Sequence, residues 1–142
     1  MTVAECIKNW LDDFEQLDLS ELCTDFLASD IESYEIFKSP NKDIVSFADG
    51  SSLVTEYYQF YGRKAVNDDS ERVSNQQVLA DLEIWVEEKN FDETYPNLAQ
   101  AGNLICEEIS IENSATIIDQ TDSSAIYQIT IKITYKKEIS NG

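Results

Sequence analysis

The chain has 142 residues, with 28 Asp plus Glu, 10 Lys plus Arg and no His, so its formal net charge is −18. This charge argues against a surface that grips nucleic-acid phosphates or an anionic membrane, because both need clustered Lys and Arg. The lack of His excludes an imidazole base, a Ser-His triad and a His metal ligand.

An amphipathic helix is predicted over about residues 2–17. Its apolar residues have helical spacing and form one stripe: Val3, Ile7, Trp10, Leu11, Phe14 and Leu17. Thr2 and Glu5 have the spacing of a capping box, in which each side chain satisfies an N–H group at the helix start. Residues 18–27 fit either a second short helix or a packed loop.

The period then changes to that of β-structure. Residues 33–38 and 43–47 predict two short strands that are separated at Pro40. Residues 49–51, Asp-Gly-Ser, predict a hairpin turn, because Gly tolerates a positive φ. The strand predicted over residues 52–65 has apolar residues on both faces, so we expect it to be central or covered on both sides.

A second helix is predicted from a capping box at Ser74 and Gln77 to about Asn90, with Asn90 expected in the left-handed conformation. Its apolar stripe consists of Val78, Leu79, Leu82, Trp85 and Val86. Residues 91–103 predict a loop that is pinned by three apolar side chains: Phe91, Tyr95 and Leu98. Both tryptophans lie on helical stripes, so we expect them to anchor the core.

Three strands close the chain, at residues 104–111, 116–119 and 125–137. The last alternates apolar and polar residues, so we expect one face in the core and the other against water or a neighbouring subunit. The element order predicts an α+β fold with a mixed, largely antiparallel sheet and two main helices on one face. No repeat or linker divides the chain, which predicts a single domain, residues 1–142.

No catalytic, cofactor or metal site is predicted. The chain has no Gly-rich phosphate loop and no GxSxG motif. Adjacent acids point to different sides of a helix or strand, so we interpret them as solvated surface. The three cysteines, Cys6, Cys23 and Cys106, are widely spaced and odd in number, which favours reduced, mostly buried thiols.

Positive charges are rare in this chain, and several lie near the predicted hairpin. Each can be an ordinary surface charge, or it can mark the place where a neighbouring acidic copy docks, since complementary charges fix orientation. We expect a hairpin over residues 39–52 to protrude and to contact a partner. The candidate subunit or tube interface consists of Lys38, Lys42, Asp49, Gly50, Ser51, Arg63 and Lys64.

Five features of the chain occur in a characteristic order over about residues 3–136. They are Ile7-Lys-Asn-Trp-Leu, Ser33-Tyr-Glu-Ile-Phe, Asp49-Gly-Ser-Ser with the following strand to Phe60-Tyr-Gly-Arg, the helix Val78-Leu-Ala-Asp-Leu-Glu-Ile-Trp-Val-Glu-Glu-Lys-Asn, and Ser124-Ala-Ile-Tyr-Gln-Ile-Thr-Ile. This order resembles small phage and prophage minor capsid or tail proteins of Gram-positive bacteria, a group similar to tail terminators.

The resemblance implies an α+β subunit of a six-membered ring that caps the tail tube and joins it to the head. Its implied partners are further copies of itself, the tail tube protein and head–tail connector proteins, with no cofactor and no catalysis. The implied location is the tail or neck of a virion made in a bacterial cytoplasm. Two alternatives stay open: another neck or tail component, and an acidic inhibitor that imitates DNA.

Overall fold

The computed structural model describes residues 1–14, 23–24, 33–65, 69–121 and 124–138. The helices are α1 (Val3–Leu11) and α2 (Asp69–Phe91), with one 3₁₀ turn at Ala99–Ala101. The strands are β1 (Cys23–Thr24), β2 (Ser33–Ser46), β3 (Ser52–Ala65), β4 (Leu104–Gln120) and β5 (Ser124–Lys137). They form one sheet in the order β1-β2-β3-β5-β4, in which the short β1 is parallel to β2 and the other neighbours are antiparallel. The predicted α+β fold is confirmed.

One face of the sheet carries the core, and both helices pack against it. Alternate residues of the two central strands point into this core: Val54, Tyr58, Phe60, Tyr127, Ile129, Ile131, Ile133 and Tyr135. Helix α1 adds Ile7, Trp10 and Leu11, and helix α2 adds Leu79, Leu82 and Val86. The predicted central position of β3 is confirmed, because β3 lies between β2 and β5.

Helix α1 has the predicted capping box but is shorter than predicted. Thr2 accepts a hydrogen bond from the Glu5 N–H at 3.1 Å, and the Glu5 carboxylate accepts one from the Thr2 N–H. The helix ends at Leu11, with Asp12 as its C-cap and the Asp12 N–H bonded to the carbonyl of Lys8. Phe14 is nevertheless buried. Of residues 15–27, only Cys23 and Thr24 lie in the described part, where they form β1.

Two predicted breaks in strands are wrong. Strand β2 continues through Pro40 by a register shift between Lys38 and Lys42. Proline is tolerated there because, among the described residues, β1 pairs with β2 only at Glu35 and Ile36, which leaves Pro40 on an open edge. Strand β4 likewise continues from 104 to 120, because two of its four register shifts, at 111/113 and 113/116, accommodate the polar residues 112–114.

Helix α2 begins at Asp69, so the predicted capping box at Ser74 lies inside the helix and is wrong as its start. The predicted end near Asn90 is confirmed to within one residue, but Glu93 takes the positive φ, at 58°. Leu98 is buried and Tyr95 half-buried in the following segment, as predicted. Phe91, which was expected to pin that segment, is 86% exposed.

The two tryptophans contact each other across the helices, with ring centroids 4.7 Å apart. Trp10 also donates its indole N–H to the carbonyl of Thr94 at 2.8 Å. The prediction that both anchor the core is confirmed. Cys6 and Cys106 are free and buried, as expected, and burial raises the pKa of the Cys106 thiol to about 12. The side chain of Cys23 lies outside the described part.

Candidate interaction surfaces

The β2–β3 hairpin turns at the predicted Asp-Gly-Ser sequence. Gly50 has a φ of 91°, which glycine adopts without a steric penalty. The Asp49 carboxylate accepts hydrogen bonds from the Ser51 hydroxyl at 2.6 Å and the Ser51 N–H at 2.9 Å. These bonds hold the pKa of Asp49 below its ordinary value. The turn is thus fixed by local bonds.

The tip of this hairpin, residues 42–50, exposes apolar side chains. Every residue from 40 to 50 is exposed, which agrees with the predicted protrusion. About half of the surface of each large apolar side chain at the tip is open to solvent: Ile44, Val45 and Phe47. Ile44 and Val45 are adjacent in a strand and so lie on opposite faces of the arm, which is therefore apolar on both faces. Exposed apolar side chains grouped at one tip are typical of a protein interface.

The seven candidate interface residues fall into two groups. Lys42 and residues 49–51 lie toward the hairpin end of the sheet, although Ser51 is buried, and Lys38 pairs with Tyr58 near the middle of β2. Arg63 and Lys64 lie at the other end of β3. The Lys64 ammonium is held inside the protein, where it donates to the Tyr34 hydroxyl at 3.0 Å. Lys64 therefore offers no exposed charge to a neighbouring subunit.

Beneath the hairpin lies a buried carboxylate that the sequence did not single out. Glu56 is 1% exposed, accepts a hydrogen bond from the Tyr135 hydroxyl at 2.6 Å and forms an ion pair with Lys38 at 2.6 Å. Burial opposes its ionisation, but Lys38 and Tyr135 together hold the pKa of Glu56 below its ordinary value. Lys38 thus acts as the counterion of the buried Glu56 carboxylate.

Replacing Lys38 with Met is expected to lower the free energy of unfolding by about 1–2 kcal/mol at pH 7, because a buried carboxylate loses its half-exposed counterion. The stability that Glu56 contributes is present above its unfolded pKa and lost as pH falls through the lower folded pKa. The difference between variant and wild type should therefore shrink below about pH 4.5. Urea unfolding at pH 7 and pH 4 measures it. A Lys38→Arg control keeps the charge, and a difference that is the same at both pH values contradicts the assignment.

The second face of the sheet is half-exposed and carries cross-strand polar pairs. The Gln59 side-chain oxygen accepts hydrogen bonds from Gln128 at 2.6 Å and from Thr130 at 2.7 Å. Phe37 and Tyr61 contact each other edge to face on the same side, with centroids 5.4 Å apart. The aromatic run 57–61 is thus divided: Tyr58 and Phe60 enter the core, and the odd-numbered aromatic residues lie on this face.

Helix α2 lies along β4 and binds its backbone. The N–H groups of Ala115, Ile111 and Ile109 donate to Glu83 at 3.2 Å, Glu87 at 2.9 Å and Asn90 at 3.0 Å. Three side chains of one helical face thus accept hydrogen bonds from amides of the sheet's outer strand. These amides are then unavailable for pairing with a further strand. The spacing i, i+4, i+7 was visible in the sequence, but the partner strand was not.

Replacing Glu87 with Ala is expected to lower the free energy of unfolding by about 1 kcal/mol, because the Ile111 amide loses its acceptor. Hydrogen exchange at that amide should accelerate as well. The exposed neighbour Glu88 supplies a matched control, and Glu88→Ala should leave both measurements nearly unchanged. Equal exchange at Ile111 in both variants contradicts this assignment.

A groove of about 670 Å³ lies between α2 and β4. We call it the acidic groove, and its lining residues are Ala80, Glu83, Ile84, Glu87, Glu88, Phe91, Asp92, Ile111 and Ser114. Its walls are acidic, whereas Phe91 and the 55%-exposed Ile84 present apolar surface to solvent. The groove was not anticipated, because Phe91 was expected to be packed against the core.

Within the described ranges, no group of three or more Cys, Asp or Glu residues is arranged to hold a metal ion. The helices described there are too short or too polar to cross a membrane. No protein-family model matches the chain, and no curated protein matches it significantly.

Proposed function

We propose that this chain is a structural subunit of a phage or phage-tail-like particle. It forms a ring, hexameric by its resemblance to tail terminators, that caps the tail tube and joins it to the head. The observation that carries the proposal is the β2–β3 hairpin, which projects apolar side chains and a lysine from an otherwise acidic chain. A fixed turn at the end of a long two-stranded arm suits a part that is inserted into a partner.

The distribution of surfaces supports assembly from identical copies. The hairpin includes β2, near one edge of the sheet, and the acidic groove lies at the opposite edge beside β4. A contact between two different surfaces of the same chain is heterologous, and repeating it closes a ring when the rotation permits. The implied partners remain further copies, the tail tube protein and head–tail connector proteins.

The charge suits a passage for DNA. Each copy carries −18, so an acidic inner wall would repel phosphates and let a genome pass without binding. This part of the proposal is tested by a structure of the assembled ring. A lumen lined by acids is expected, and a lumen lined by Lys and Arg contradicts it.

A second function is favoured by the same charge. Exposed acids along α2, such as Glu87 and Glu88, are the kind of array with which an inhibitor imitates DNA. The structural role and the inhibitor role predict different effects of removing the chain on particle assembly. A structural subunit is needed for assembly, whereas a DNA mimic is not part of the particle.

Deletion of the gene from the producing phage or prophage tests the proposal. We expect separate heads and tails by electron microscopy, and joined particles when the wild-type chain is supplied in trans. Complementation with a chain that lacks residues 43–50 should fail, while the stability of that chain is checked separately by thermal unfolding. Normal, joined particles from the deletion strain would refute the structural role and favour the inhibitor.

A further inference from the structure

The acidic groove has the properties of an unfilled docking site. Phe91 is 86% exposed and Ile84 55% exposed, although both are large apolar side chains on a helix that otherwise packs well. A partner can cover these exposed side chains without breaking contacts within the subunit, because they make few such contacts. The groove therefore favours an occupant with apolar side chains of its own.

The charge around the groove restricts that occupant. All four ionisable residues that line it are acids: Glu83, Glu87, Glu88 and Asp92. Two of them, Glu83 and Glu87, are held by backbone amides of β4 and so keep their positions. An acidic occupant would be repelled, which excludes most of the surface of a second copy with a charge of −18.

The hairpin tip is the part of a second copy that fits. Ile44, Val45 and Phe47 supply exposed apolar side chains on a narrow arm. Lys42 and Lys136 balance the two acids of the tip, and the Asp49 carboxylate is already bonded by Ser51. Residues 42–50 alone therefore carry a formal charge of −1, which Lys136 on the neighbouring strand β5 offsets. Lys42 is exposed and takes no part in the ion pair between Lys38 and Glu56.

We infer that the hairpin tip of one subunit docks into the acidic groove of the next. Ile44 and Phe47 cover Ile84 and Phe91, and Lys42 faces the carboxylates of the rim. The two surfaces lie at opposite sides of the sheet, so the contact is head-to-tail and leaves each subunit with one free tip and one free groove for further copies. This inference rests on the proposed function, for which it names the subunit contact.

Two complementary variants test the contact in solution without forming a polymer. The groove variant carries Ile84→Asp and Phe91→Asp and keeps its tip, whereas the tip variant carries Ile44→Asp and Phe47→Asp and keeps its groove. Since all four positions are exposed, both variants should fold, which thermal unfolding checks. A mixture retains one intact tip and one intact groove, and so it should stop at a 1:1 complex.

The readout is NMR with an isotopically labelled groove variant titrated with the unlabelled tip variant. In the labelled groove variant, we expect chemical-shift changes confined to residues 42–50. When the tip variant is labelled instead, we expect chemical-shift changes confined to residues 80–92 and 111–114. A control chain that carries all four substitutions has neither surface, and adding it in place of the unlabelled partner should cause no chemical-shift changes. The inference is overturned if no shift occurs at about 1 mM protein, if the shifts lie elsewhere, or if the groove variant dimerises with itself through its tip.

Charge reversal tests the pairing independently of the apolar contact. Lys42→Glu in the groove variant should weaken the complex by about tenfold, and Glu88→Lys in the tip variant should restore it. Glu88 is chosen because Glu83 and Glu87 bind β4. Weakening without restoration overturns the assignment of Lys42 to the groove rim.

These results are separable from those that test the proposed function. If the chain is found at the tail end of the particle but the two variants do not bind each other, the proposed function stands and this contact is refuted. Binding between the variants, with the chain absent from the particle, would keep the contact and refute the function.

Discussion

Replacing Phe60 with Ala is expected to lower the free energy of unfolding by about 3–5 kcal/mol, the largest effect of a single substitution predicted for this chain. Phe60 is 1% exposed on the central strand β3, paired in register with Ile36 on one side and Ile129 on the other. Its ring stacks on Tyr34 with centroids 6.0 Å apart. The truncation removes apolar contacts from the middle of the core and leaves a cavity that the rigid sheet cannot close.

Tyr57 provides the matched control for this prediction. It lies on the same strand but on the half-exposed face, so Tyr57→Ala should cost about 1 kcal/mol or less. Urea unfolding followed by fluorescence measures both variants. Similar losses for the two would show that the faces of β3 have been assigned wrongly.

Replacing Trp10 with Ala should lower the free energy of unfolding by about 3–4 kcal/mol. The Trp10 ring joins α1 to α2 through Trp85, and its N–H donates to the carbonyl of Thr94 in the segment that follows α2. The loss therefore combines a cavity with an unsatisfied carbonyl. It also removes the aromatic contact between α1 and α2, although Ile7 and Leu11 keep α1 packed in the core.

A Trp10→Phe variant separates the two contributions, because it keeps an aromatic ring and removes the hydrogen bond. It should lose about 1 kcal/mol for the bond, with a further small loss for the reduced volume. The same unfolding measurement applies, followed by circular dichroism because a fluorophore is removed. Equal losses for the Phe and Ala variants would contradict the packing role of the ring.

The elements that could be predicted are those whose signal is local. Strand β5 alternates apolar and polar residues over 127–136, and its predicted range, 125–137, differs from the observed one by a single residue. The capping box of Thr2 and Glu5 and the turn at 49–51 depend on residues within three positions of each other. Local bonds of this kind form whatever the rest of the chain does, so the pattern suffices.

The errors arose where a distant partner overrides a local signal. Pro40 and the polar residues 112–114 predict breaks, yet β2 and β4 continue through them as bulged strands because they pair with β3 and β5. Phe91 is an apolar residue at the end of an amphipathic helix, but it lies on a different face from Leu79, Leu82 and Val86, which pack into the core. Secondary-structure propensity thus identifies these strands and helices, whereas tertiary contacts determine the residues at which they begin and end.

The candidate surfaces were only partly predictable for the same reason. The hairpin follows from its turn and its lysines, whereas the Glu56–Tyr135 bond joins residues 79 positions apart. The burial of Lys64 depends on Tyr34 in the neighbouring strand. The acidic groove requires the register of α2 against β4, which no periodicity within either element specifies.

The proposed position of this chain is the junction between a phage tail and its head. Immunogold labelling of purified particles, with an antibody against the folded chain, tests it most directly. We expect gold at the head-proximal end of the tail and at no other position. Gold along the whole tail, on the capsid or at the distal tip, or no gold on particles whose other proteins are labelled, would contradict it.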